Sequence, residues 1–152
     1  MTPKICTLVF LLEGDNILLA MKKRGFGSGR WNGVGGKVEQ GETVAQAMIR
    51  ETEEEIVVTP LEYESAGYLK FSFPDGTADM TAHVFICTAW DGEPLETEEM
   101  APRWFKISEI PYDRMWQDDE YWLPQVLEGK FIRGNFVFDA DENMLSHDVQ
   151  EV

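Results

Sequence analysis

Gly36-Lys37-Val38-Glu39-Gln40-Gly41-Glu42-Thr43-Val44-Ala45-Gln46-Ala47-Met48-Ile49-Arg50-Glu51-Thr52-Glu53-Glu54-Glu55-Ile56-Val57 is the stretch on which the reading of this chain turns. Thr43 followed by Gln46 fits a capping box, so a helix is predicted over Thr43–Ile56. Ala45, Met48, Ile49, Thr52 and Ile56 recur at helical spacing and form its mostly apolar stripe. Glu51, Glu54 and Glu55 are related by three and four residues and share another face. Like charges so spaced cost a few tenths of a kcal/mol per pair in an isolated helix, and Arg50 offsets part of this by reaching Glu54. The face is either a solvated acidic surface or a holder of hard divalent cations, for which carboxylate oxygens are natural ligands.

The rest of the chain bounds the possibilities. With 152 residues, 43% of them hydrophobic and 27% charged, residues 1–152 read as one ordinary globular domain. No apolar run is long enough for a membrane helix, and the start lacks the features of a signal peptide, so no membrane partner is expected. Cys6 and Cys87 form no zinc or CxxC pattern; they read as reduced core thiols of a cytoplasmic protein. The net charge is −15, which argues against nucleic acid as a partner. Up to residue 37 there are six basic and two acidic residues, against seven basic and 26 acidic beyond it. A small basic region in an acidic chain fits a small phosphorylated ligand held partly through metal ions.

Strand-like runs flank the helix. Ile5–Leu12 and Ile17–Lys22, separated by Gly14-Asp15-Asn16, read as a hairpin. Val57-Val58-Thr59-Pro60 ends the helix. Ala66–Phe73 and Met80–Trp90 follow as strands joined by a Pro74-Asp75-Gly76 turn, then a short strand at Trp104–Ile107. Asp118–Leu127 looks helical, with Pro124 tolerated only near a first turn. Phe131–Phe138 is extended, with one more strand near Asn143–His147. The order predicts an α+β fold with a mixed sheet.

Gly36, Glu42, Arg50, Glu51, Glu54 and Glu55 stand in the spacing G-x(5)-E-x(7)-R-E-x-x-E-E, which resembles the Nudix box. Six defined positions over 20 residues make the match specific. Thr52 stands where that family usually has an apolar residue, and Val57 where it has the glycine that ends the helix. A β-branched residue takes a left-handed cap only at about 1–2 kcal/mol, so a different turn is expected there. The resemblance implies a Nudix α/β/α sandwich around a mixed sheet. It implies hydrolysis of a nucleoside diphosphate linked to another group, with Mg2+ as the usual ion and Mn2+ as an alternative. Glu51, Glu54 and Glu55 would bind metal, with the Gly36 carbonyl as a further ligand and Arg50 orienting the carboxylates. Glu99 is a further ligand candidate, and Glu51 and Glu99 are both candidates for the general base. Neither Gly33-Val34-Gly35-Gly36-Lys37-Val38 nor Gly25–Gly29 has the spacing of a P-loop or a dinucleotide-binding loop.

Further stretches are similar to the animal-type MutT-like branch of that family: Met21-Lys22-Lys23-Arg24-Gly25-Phe26-Gly27, Gly29-Arg30-Trp31-Asn32-Gly33, Glu98-Glu99-Met100 and Met115-Trp116-Gln117-Asp118-Asp119-Glu120-Tyr121-Trp122. That branch hydrolyses oxidised purine nucleoside triphosphates such as 8-oxo-dGTP and 2-oxo-dATP to the monophosphate and pyrophosphate. By this likeness Asn32, Asp118 and Asp119 would recognise the base. Thr7, Leu8, Lys22, Phe26, Phe71, Phe73, Met80, Met100 and Trp116 would line its pocket. The chemistry is reasonable on its own terms. Two carboxyls in one buried place part their pKa values, offering a donor and an acceptor together. Trp116 is a stacking surface, and methionine among aromatics suits more than one base. An acidic helix start and ordinary core packing are the competing readings of these residues. A monomer acting on a small nucleotide is expected; ADP-ribose, a dinucleoside polyphosphate, an ordinary triphosphate or a non-catalytic binding module are the alternatives.

Overall fold

The computed structural model describes residues 4–25, 27–74 and 79–152. Its elements are β1 (Lys4–Glu13), β2 (Asn16–Lys22), β3 (Trp31–Asn32), α1 (Val44–Ile56), β4 (Thr59–Ser72), β5 (Met80–Asp91), β6 (Met100–Lys106), α2 (Asp119–Leu127), β7 (Ile132–Phe138) and β8 (Met144–Glu151). Two 3-10 turns, Ile107–Glu109 and Tyr112–Arg114, lead into α2. The strands run in the order β3-β2-β1-β5-β4-β7-β8, with β6 also paired to β2. β1 with β5 and β4 with β7 are parallel; the remaining pairs are antiparallel, so the sheet is mixed.

β1 shows why the sheet lies between two helices. Its centre is apolar on both faces, as expected of a strand covered on both sides. Val9 and Leu11 pack with Met48 and Ile56 of α1. Phe10 points the other way, into a core with Trp122, Leu123 and Val126 of α2. This is the α/β/α sandwich that the resemblance to the Nudix box implies, around the mixed sheet that the order of elements predicts.

Local readings hold with corrections. Thr43 caps α1, its Oγ1 accepting from the Gln46 N–H at 3.1 Å while the Gln46 side chain accepts from the Thr43 N–H at 2.9 Å. Ala47, Met48, Thr52 and Ile56 are the buried positions, so Ala47 replaces Ala45 in the stripe. Thr52 is tolerated in an apolar place because its hydroxyl donates to the Met48 carbonyl at 2.7 Å. The expected different turn at Val57 is wrong: Val57 takes the left-handed cap itself, at φ 62° and ψ 38°, and its N–H reaches the Glu53 carbonyl. Pro124 lies in the interior of α2 rather than near its first turn. The β1–β2 hairpin exists only next to its turn, where Leu12 faces Ile17 and Glu13 faces Asn16; beyond that β2 parts from β1 and meets β3, while β6 pairs with β2 along all of Asn16–Lys22. β4, β6 and β8 all run longer than expected. The Pro74-Asp75-Gly76 turn lies partly outside the described residues.

Residues 33–38 are held against β1 through bridges of Val34 to Val9 and Lys37 to Cys6. The approach needs glycine, since a Cβ at Gly35 would collide with the Thr7 carbonyl. This carries Gly36 from the β1 edge to the acidic face of α1.

Candidate active site

A cavity of about 220 Å³ opens between the first half of β1, the start of β5 and the approach to α2. Thr7, Leu8 and Lys22 wall it from β1 and β2, and Asn32 from β3. Phe71, Phe73, Met80 and Met100 add apolar wall, and Trp116, Asp118 and Asp119 close the side toward α2. Phe26 lies outside the described residues. The remaining expected pocket residues thus come together, although they are up to 112 positions apart in the chain. Gly36 lines the same cavity.

Asp118 and Asp119 are each 2% exposed. Asp118 stands at the N-cap of α2 but its side chain makes no capping bond. Its Oδ2 instead accepts from the Trp122 indole N–H at 2.7 Å. Asp119 Oδ2 is buried without a hydrogen-bond partner. Burial raises both carboxyls above the usual range, and the Asp118 charge raises Asp119 further. Two carboxyls share one desolvated place where two charges are unfavourable, and a proton kept between them sets a donor beside an acceptor. Asn32 turns its Oδ1 to the Gly33 N–H at 2.8 Å. Trp116 stands edge-on to Phe138, with ring centres 5.8 Å apart, and carries the Arg30 guanidinium over its face at 4.1 Å. Arg30 in turn pairs with Glu142 at 3.2 Å.

At the acidic helix, Arg50 is the hub. Its Nε and Nη2 donate to the two carboxylate oxygens of Glu42 at 2.7 and 2.9 Å. Its Nη1 reaches Glu51 at 2.8 Å and Glu54 at 3.2 Å, and its Nη2 also reaches the Lys37 carbonyl at 3.1 Å. The guanidinium holds Glu42 down to about 2. Glu42 is thus the orienter of Arg50, a role that its fixed spacing to Arg50 could have signalled. The three helix carboxylates do not share one environment. Glu54 is 60% exposed and Glu51 is 15% exposed, while Glu55 Oε2 is buried without a partner. Burial and the neighbouring Glu51 charge push Glu55 up to about 8, against a partial offset from Lys22. Glu99 also faces Glu55 electrostatically. Its own carboxylate is held by Arg24 at 2.7 Å, which lowers its pKa.

Among the described residues no three acidic, histidine or cysteine side chains converge in metal-ligating geometry. The donor set nonetheless fits a divalent cation. Glu55 presents a buried oxygen with no partner, beside a second carboxylate, and a Cβ on Gly36 would fall on the carboxylate of Glu51. Only glycine lets that stretch of backbone and that carboxylate lie together, while the Gly36 carbonyl accepts from the Thr7 N–H at 2.8 Å.

The fold and this site define a hydrolase acting on phosphoanhydride bonds of small nucleotides. Residues 2–126 match the NUDIX domain model, and the chain belongs to the Nudix family, whose hydrolases work with divalent cations. It is 44% identical to the oxidized purine nucleoside triphosphate hydrolase of Danio rerio, over 99% of this chain and 97% of that one. Identity to the Mus musculus protein of the same name is 41%, with the same coverage. Among solved structures, the mutator MutT protein of Bacillus halodurans superposes with a TM-score of 0.86 at 26% identity, covering 97% of each chain. Among the described residues no helix is long and apolar enough to cross a membrane.

Proposed function

We propose that this chain hydrolyses oxidised purine nucleoside triphosphates, such as 8-oxo-dGTP and 2-oxo-dATP, to the monophosphate and pyrophosphate. It would thereby keep mispairing nucleotides out of nucleic acid, acting as a monomer in the reducing cytosol. The observation that carries this reading is a single cavity walled both by the buried Asp118–Asp119 pair and by Gly36 beside Glu51. A base and a polyphosphate require those two surfaces together. The names of the relatives from Danio rerio and Mus musculus support the same substrate class.

In this reading Asp118 accepts from the purine edge and the protonated Asp119 donates to it. Asn32 adds an amide, and Trp116 stacks on the ring. Lys22 meets the phosphates. Glu51, Glu54, Glu55, Glu99 and the Gly36 carbonyl would hold Mg2+. Bound there, the ion neutralises charge on the phosphate oxygens and lowers the pKa of water. Arg50 holds the Glu51 and Glu54 carboxylates toward it. Glu51 or Glu99 takes the proton from the attacking water.

Hydrolysis at micromolar substrate tests the proposal, comparing pyrophosphate release from 8-oxo-dGTP, 2-oxo-dATP and dGTP and AMP release from ADP-ribose, with Glu55→Gln as blank. Preference for an oxidised purine is expected. Equal turnover of dGTP, or hydrolysis of ADP-ribose alone with AMP as product, would overturn the substrate assignment and leave the hydrolase chemistry in place.

A further inference from the structure

The last carbonyls of any helix lack partners within it. In α1 two of them are met from a segment far along the chain. Leu95 N–H donates to the Ile56 carbonyl at 3.0 Å, and the Thr97 hydroxyl donates to the Glu55 carbonyl at 2.8 Å. The same hydroxyl oxygen accepts from the N–H groups of Glu99 and Met100, each at 3.3 Å. A hydroxyl has one proton and two lone pairs, and all three are used here. Thr97 N–H closes the turn by donating to the Met100 carbonyl at 2.9 Å. The far side of Glu99 is pinned independently: Lys23 N–H donates to its carbonyl at 3.0 Å, and Arg24 holds its side chain. One oxygen atom thus joins the backbone of Glu55 to the backbone of Glu99.

We propose that Thr97 is a positioning residue that sets the separation of the Glu55 and Glu99 carboxylates across the cation site. The inference rests on the reading of those two residues as joint cation ligands. Glu55 is carried by a rigid helix, whereas Glu99 lies on an exposed loop. Without the hydroxyl, nothing from α1 holds that loop at Glu99. Residues that orient metal ligands without touching the ion commonly change metal affinity by ten- to a hundredfold when removed.

The test measures Mn2+ affinity without nucleotide, by paramagnetic titration, together with kcat and KM for 8-oxo-dGTP. Thr97→Val is expected to weaken Mn2+ binding about tenfold and to lower kcat similarly. KM for the nucleotide stays within about twofold, because the base-binding side is untouched. Thr97→Ser recovers both, since it restores the hydroxyl. Should the valine variant not fold, Thr97→Ala removes the same bonds without added bulk. Thr97→Val combined with Glu99→Gln is expected to be no worse than Glu99→Gln alone. Mn2+ affinity unchanged in Thr97→Val while Glu99→Gln loses it overturns the inference alone. So do losses that multiply in the double variant, or a serine variant as poor as valine. A Glu99→Gln protein that binds Mn2+ and turns over normally overturns the joint-ligand reading, and the inference with it.

Discussion

A carboxyl buried beside another carboxylate, as Glu55 is beside Glu51, keeps its proton to about pH 8. The unfolded chain releases that proton in the ordinary range near 4.5. The folded, cation-free protein therefore binds more protons throughout that window, and its stability falls as pH rises across it. Below the window both states are protonated and the difference vanishes. A bound cation displaces the proton, so cation affinity climbs with pH up to about 8. In EDTA, wild-type Tm is expected to drop from pH 5.5 to 8.5 relative to Glu55→Gln, whose curve lacks this slope. Each pKa unit is about 1.4 kcal/mol, so the variant is expected to be the more stable protein at pH 8.5. Parallel melting curves would refute this assignment. Arg50 shows the opposite case. Its bidentate bond to Glu42 and its reach to Glu51 and Glu54 gather charges that would otherwise repel along α1.

The α1 helix has a well-capped start and a strained end. The Thr43–Gln46 box meets two N–H groups reciprocally. At the other end Val57 adopts a left-handed conformation that costs a β-branched residue about 1–2 kcal/mol. Its side chain is 52% exposed and contributes little packing in return. The surrounding contacts enforce the strain: Val57 N–H is bound to the Glu53 carbonyl, and Leu95 N–H, from a segment far along the chain, docks on the Ile56 carbonyl. Val57→Gly is expected to stabilise the protein by about 1 kcal/mol, raising Tm by about 2–4 °C in a thermal melt. A lower Tm would mean that Val57 packs more than its exposure indicates. The α2 helix carries Pro124 in its interior, where the bond to the Glu120 carbonyl is forfeited. Burial of Trp122, Leu123 and Val126 holds the helix regardless.

Across the whole molecule, the cavity is assembled from both ends of the chain. Arg30, in the loop between β2 and β3, lies over the Trp116 ring and pairs with Glu142 in the β7–β8 turn. Gln117 binds the same turn, accepting from Met144 N–H at 2.7 Å. The mouth of the cavity is thereby clasped by segments 112 residues apart. A cation over an indole face is worth about 1 kcal/mol. Arg30→Ala is expected to raise KM for an oxidised purine triphosphate about fivefold with little change in kcat. Glu142→Gln, which leaves the ring contact, does so less. Steady-state kinetics decide it; a fall in kcat alone would place Arg30 in the chemistry instead.

How much was legible in the sequence follows from the range of the interactions. The capping box, the apolar stripe, the Arg50–Glu54 pair and the acidic face all involve residues within a few turns of one helix, so spacing alone determined them. The apolar run of Ile5–Leu12 likewise announced a strand, while its covering on both faces emerged only in the fold. The parallel pairing of β1 with β5 was not legible, nor was the early parting of β1 from β2, because pairing is decided by competition among strands distant in sequence. The buried place of Asp118 and Asp119 was reached only through the family resemblance, and the reach of Arg30 to Glu142 and the bonds of Thr97 were hidden. Their energies depend on neighbours that only folding supplies. Local periodicity is written in the chain, whereas desolvation and long-range hydrogen bonding come into being when the sheet and its two helices close around the site.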